Sequence, residues 1–79
     1  MITRYARAAE QGHVDAQTSL ATQYYLGRGI AQDYAAAARW YGAASATGYP
    51  PAHTPLARLY EAGRGVPQND ARALALYRK

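Results

Sequence analysis

The chain has 79 residues, enough for one domain, and a core this small is marginal unless its elements are well consolidated. It contains no cysteine, which excludes a disulfide framework and thiolate chemistry, and no apolar run near the ~18 residues of a membrane-spanning helix. The net charge of +4 comes with arginines scattered one at a time (Arg4, Arg7, Arg28, Arg39, Arg58, Arg64, Arg72, Arg78), a pattern of solvated faces rather than of a nucleic-acid-binding patch.

Alanine makes up about a quarter of the chain; tyrosine is abundant and phenylalanine absent. Alanine favours helix, and tyrosine fills the gaps between closely spaced helices, so an all-α protein with thin, alanine-lined interfaces is predicted. In chain order, Ile2–Gln11 reads as a first helix. Val14–Leu26 reads as a second, because Ala16, Leu20, Tyr24 and Gly27 share one face. Gly27 stands where a left-handed residue ends a helix, and Asp33 is positioned to cap the next one. That third helix covers about residues 34–47, with Ala37, Tyr41 and Ala44 on one face and Gly48 as its stop. The fourth covers about residues 51–62, ended by Gly63, with Pro55 placed near its first turn, where proline is tolerated. Asn69 is expected to cap a fifth helix beginning at Asp70.

These elements repeat. A shift of 36 residues superimposes the chain on itself without a gap and gives 15 identities over the 43 comparable positions. Tyr5, Tyr41 and Tyr77 coincide, as do Leu20 and Leu56, Tyr24 and Tyr60, and the whole of Gly27-Arg28-Gly29 with Gly63-Arg64-Gly65. A helix–turn–helix unit of this length is the mark of an α-solenoid. The divisions are a partial repeat over residues 1–12, a first repeat over 13–48 and a second over 49–79. In each unit the first helix is helix A and the second helix B, so the order is B–A–B–A–B. Both chain ends fall inside the repeat pattern, with no dedicated cap. The alternative functions are therefore self-association through the uncapped end helices, or weak binding of nucleic acid or anionic lipid by the basic surface.

The stretch Leu26-Gly27-Arg28-Gly29-Ile30-Ala31-Gln32-Asp33 could cradle an anion, since glycine-rich turns before helices bind phosphate. Its recurrence as Ala62-Gly63-Arg64-Gly65-Val66-Pro67-Gln68-Asn69 favours a turn, with Ile30 or Val66 tucked beneath it. Arg28 and Arg64 are then expected to be solvated or paired with a neighbouring acid.

The unit Ala16-x-x-x-Leu20-Ala21-x-x-Tyr24-x-x-Gly27-x-Gly29-Ile30-x-x-Asp33-x-x-Ala36-Ala37-x-x-Trp40-Tyr41-x-Ala43-Ala44-x-x-x-Gly48 resembles the Sel-1-like repeats, relatives of the tetratricopeptide repeats. Its second copy carries Ala52, Leu56, Ala57, Tyr60, Gly63, Gly65, Val66, Asn69, Ala73, Leu76 and Tyr77. The resemblance implies a right-handed superhelix of antiparallel helix pairs with helix A on a concave surface, and a scaffold or adaptor that holds other proteins. It also implies that Trp40 packs structurally. The departures are alanine at the helix-A glycine (Ala21, Ala57), Ala36, Ala43 and Arg72 at the usual lysines, and Leu76 at the tryptophan.

On that reading the concave, partner-binding face comprises Thr18, Thr22, Tyr25 and Leu26 from the first copy, with Thr54, Arg58 and Glu61 from the second. The tyrosines at 36-residue spacing are expected in the core. His13 and His53 occupy inequivalent positions without cysteine or a metal-binding spacing, so neither a metal nor another cofactor is expected. Ser19 and Ser45 have no base or orienting acid nearby in sequence, so the chain is not expected to be an enzyme. A start without an apolar segment and the lack of cysteine fit a cytoplasmic chain.

Overall fold

The computed structural model describes residues 2–79, with side chains from residue 6 onward. Five helices follow one another: α1 (Ile2–Glu10), α2 (Val14–Leu26), α3 (Tyr34–Ala46), α4 (Pro50–Ala62) and α5 (Asp70–Tyr77). Each packs on its sequence neighbour, in the order α1–α2, α2–α3, α3–α4 and α4–α5. The result is a slab with extents of 35 × 25 × 14 Å, two helix layers deep, as expected of a solenoid segment.

The helix boundaries have local causes. Asp33 accepts from the Ala36 N–H at 3.1 Å and Asn69 from the Arg72 N–H at 3.0 Å, each satisfying a donor freed at a helix start. Gly27 (φ 73°) and Gly63 (φ 67°) end α2 and α4 in the left-handed region, where a side chain would be strained. The Asp33 and Asn69 N–H groups then donate to the Tyr24 and Tyr60 carbonyls at 2.9 Å, folding each turn back onto helix A. Gln32 and Gln68 complete the turn: their amides donate to the Tyr25 and Glu61 carbonyls at 2.8 and 2.9 Å. That role accounts for the glutamine recurring at the 36-residue spacing.

One expectation needs correction. Pro50 and Pro51 occupy the first turn of α4, which places Pro55 inside the helix rather than near its start. The ring removes one internal hydrogen bond there.

The core is built from small residues. Ala21, Ala37, Ala44, Ala52 and Ala57 are fully buried, and Leu20 and Leu59 are the largest side chains so enclosed. One cluster joins α2, α3, α4 and α5; a smaller one, Ala9, Ala16 and Leu20, joins α1 to α2. Trp40 packs against both, consistent with a structural role. Because an alanine contributes only a methyl, the stack depends on close backbone approach and summed dispersion contacts rather than on large buried side chains. Gln17 adds a polar tie, its amide donating to the Ala9 carbonyl at 3.1 Å.

The tyrosines divide. Tyr41 is buried; Tyr24 and Tyr60 are half-buried and packed against the core. Tyr77, expected in the core, is instead 43% exposed; among the described residues only α4 packs closely on α5. The Tyr5 side chain lies outside the described residues.

Candidate protein-binding groove

The seven residues expected on the concave face do not all line one recess. Tyr25 and Arg58, from the two A helices, line a recess of about 190 Å³ with Pro55 at its side and Tyr41 beneath. Thr18 and Thr22 belong to a more open, polar groove of about 460 Å³ along α2, which also includes Asp15, Ser19, Arg28 and Tyr49. Glu61 lines a third recess at the C-terminal end, against α5. Leu26 and Thr54 are exposed and line none of these three.

Within the α2 groove, part of the polar capacity is already used. The Thr18 and Thr22 hydroxyls donate to the carbonyls of Val14 and Thr18, both at 2.9 Å, one helical turn back. The Thr22 hydroxyl also lies 2.7 Å from the Tyr41 hydroxyl, which fixes the floor of the apolar recess. Burial raises the Tyr41 phenol above its ordinary value of 10.0, with the Thr22 bond acting in the opposite direction, so it stays neutral. Tyr25 is held by an edge-to-face contact with Tyr34, ring centroids 5.4 Å apart and planes at 70°. The recess therefore has a fixed aromatic wall and a guanidinium at its rim.

The groove's far end is tied by a bond that periodicity does not reveal. The Tyr49 hydroxyl donates to the Asp15 carboxylate at 2.6 Å, joining the starts of α2 and α4. This bond to a carboxylate raises the Tyr49 phenol above its ordinary range. Tyr49 and Asp15 lie 34 residues apart and are not repeat mates, so only the stacked helices bring them together.

The two loop arginines part ways. The Arg64 guanidinium lies 5.2 Å from the Tyr34 ring centroid and donates to the Tyr34 hydroxyl at 3.1 Å. The side chain stays exposed, as expected, and its partner is an aromatic residue rather than an acid. Arg28 faces the open α2 groove. The turns themselves are closed by internal bonds: the Gly27 and Arg28 N–H groups both donate to the Gln23 carbonyl. Those donors are engaged and do not point at an anion.

Ser45 corrects another expectation. Its hydroxyl lies 2.6 Å from His53 Nδ1, a base supplied by the next helix. Both residues are buried, at 4% and 6% exposure. Their bond joins α3 to α4 as a satisfied polar contact in an otherwise apolar interface. Among the described residues no group of three or more His, Cys, Asp or Glu could hold a metal ion, and no helix is long and apolar enough to cross a membrane.

Comparisons with known proteins agree with this architecture. Among curated proteins none matches the chain. The crystal structure of a protective antigen present in uropathogenic Escherichia coli strains, displaying an SLR fold, superimposes with a TM-score of 0.90 at 39% identity, covering 94% of this chain and 16% of that one. A Sel1 repeat protein from Oxalobacter formigenes superimposes at 0.94 with 32% identity, covering 98% of this chain and 59% of that one. The chain thus spans less than two thirds of either structure. Sel1 repeats generally mediate protein–protein interaction. The Sel1 repeat profile matches residues 5–13, 14–49 and 50–79 in succession, and on that continuous match the chain belongs to the Sel1 repeat family.

Proposed function

We propose that this chain binds a segment of a partner protein across α2 and α4, with one apolar side chain of the partner entering the Tyr25–Pro55 recess. The observation that carries this reading is the recess itself: an apolar floor and wall between consecutive A helices, with Arg58 at its rim. At about 190 Å³ it falls below the ~300–1,000 Å³ of small-molecule sites, so it suits a single anchoring side chain. Aromatic residues and arginine are frequent anchors at protein interfaces. Arg58 adds preference for a carboxylate beside the anchor, while the hydroxyls and Arg28 of the adjoining groove offer polar contacts to the flanking backbone.

The arrangement favours a protein partner over nucleic acid. Arg39, Arg64 and Arg72 lie over the Trp40, Tyr34 and Tyr60 rings, at 5.1, 5.2 and 5.0 Å from their centroids. Among the described residues these three cations are engaged on aromatic faces rather than aligned to follow a phosphate backbone. The test is affinity capture from the native host with the wild-type chain and a Tyr25→Ala/Arg58→Glu variant. Loss of a partner with the variant, at unchanged helical content, is expected; retention of every partner would refute the groove.

A further inference from the structure

The two helices that border the Tyr25–Pro55 recess lie inside the stack: α2 packs on α1 and α3, and α4 packs on α3 and α5. Beside the recess, the start of the α2 groove is rich in acceptors and poor in donors. A hydroxyl has one proton to give, and Thr18 spends its own on the Val14 carbonyl at 2.9 Å. Thr22 spends its proton on the Thr18 carbonyl, and its oxygen also meets the Tyr41 hydroxyl at 2.7 Å. Thr18 Oγ1 is thus left as an acceptor. Asp15, exposed in the first turn of α2, receives one bond on Oδ1 from Tyr49, out of the roughly four a carboxylate can accept. On α4, Pro55 has no N–H for the carbonyl four residues back, so the carbonyl of the exposed Pro51 loses its helical partner. Pro51 and Pro55 share one face of α4, and Pro55 lines the recess.

The signs of charge are also separated. Among the described residues that line the α2 groove, Arg28 is the one cation, and it follows α2 at the opposite end from Asp15. Ser19 and Thr22 are the repeat mates of Pro55 and Arg58, so the recess lies beside the second half of α2. That is roughly seven residues, or about 10 Å, along the helix from Asp15. An extended segment covers the distance in about three residues. The chain as a whole carries +4 and repels basic ligands, so a preference for one can come only from a local acceptor site.

We propose that the partner segment anchored in the recess also lays a lysine or arginine, about two to four residues from the anchor, against Asp15 and Thr18. This rests on the recess as the anchoring point and adds the chemistry of the second contact. The cation donates to the Asp15 carboxylate and to Thr18 Oγ1, and a backbone N–H of the segment meets the Pro51 carbonyl. An exposed ion pair contributes little alone, so the cation selects among segments that the apolar anchor already holds.

The probe is a phage-displayed library of random peptides, selected on the full wild-type chain. Enrichment of lysine or arginine at that spacing from a leucine, isoleucine, methionine or phenylalanine is expected. A selected peptide, synthesised with a fluorophore, should bind the Asp15→Asn chain about threefold to fivefold more weakly and with less dependence on salt. Asparagine still accepts from Tyr49, and an unchanged melting temperature shows that the groove end stays tied. Asp15→Lys should invert the selection to aspartate or glutamate at the same spacing, with the anchor unchanged. Tyr25→Ala/Arg58→Glu should remove the anchor preference itself. An anchor selected without a basic neighbour, or a basic neighbour indifferent to Asp15→Lys, overturns this proposal and leaves the recess standing. Basic peptides with no apolar residue would mark a bare cation site and overturn it as well. A library that yields no enriched peptide overturns both readings.

Discussion

The two Gly-Arg-Gly turns share their sequence and their backbone geometry but have different surroundings. Gly29 and Gly65 have φ of 71° and 75°. A side chain at Gly29 would meet nothing within 4 Å; at Gly65 it would collide with the Tyr34 carbonyl group. Arg64 is stacked on Tyr34, while its mate Arg28 faces open groove. The same contrast separates Tyr41, buried between repeats, from Tyr77 at the end. A repeat residue therefore has no fixed energetic value. Its role depends on whether a neighbouring unit is present to receive it, as expected where each unit contacts only its neighbours.

The contrast is sharpest at the tyrosines. Tyr41→Ala should cost about 3–5 kcal/mol, and Tyr77→Ala less than about 1 kcal/mol, measured by urea unfolding. Equal costs would mean that the end face is as well covered as the interior. Tyr41 also carries a pH signature. Its pKa is raised on folding, so the folded state holds this proton more tightly than the unfolded chain. The associated stability is complete below the ordinary value of 10.0 and is lost as pH rises from there through the folded value. Tyr41→Phe should flatten that alkaline decline at the cost of about 1 kcal/mol for the lost Thr22 bond.

The glycines come next. Gly65→Ala combines an unfavourable backbone conformation with a collision against backbone that cannot rotate away, and should cost about 3 kcal/mol. Gly29→Ala has the backbone cost alone, about 1–2 kcal/mol. At about 4–8 °C of melting temperature per kcal/mol in a domain of this size, thermal unfolding resolves the difference. Matching shifts would break the comparison.

Smallest are the arginines. Arg64→Ala should lose about 0.5–1 kcal/mol of cation–ring attraction, with Arg28→Ala close to zero. Arg64→Lys retains the charge and gives up the planar stack, so it should fall between wild type and alanine.

Much of the architecture was legible in the residues. The 36-residue identity placed five helices, and Asp33, Asn69, Gly27 and Gly63 marked boundaries that depend on backbone chemistry local to each turn. The candidate site was less so. Tyr25 and Arg58 meet at one recess, but Pro55 and Tyr41, which complete it, looked like a helix-start residue and a core residue. Glu61 lines a separate recess against α5. The Ser45–His53 and Asp15–Tyr49 bonds join residues that neither share a helix face nor stand at the repeat distance, so no period in the sequence announces them.

The sequence by itself determined the repeat, the order of helices and the caps, because these follow from hydrophobic spacing and from hydrogen bonds between residues a few positions apart. The tertiary structure decided which copy of each repeated residue is covered. Tyr41 and Tyr77, Arg64 and Arg28, Gly65 and Gly29 are identical as letters; burial, a ring to stack on and a backbone to collide with come only from the unit packed alongside.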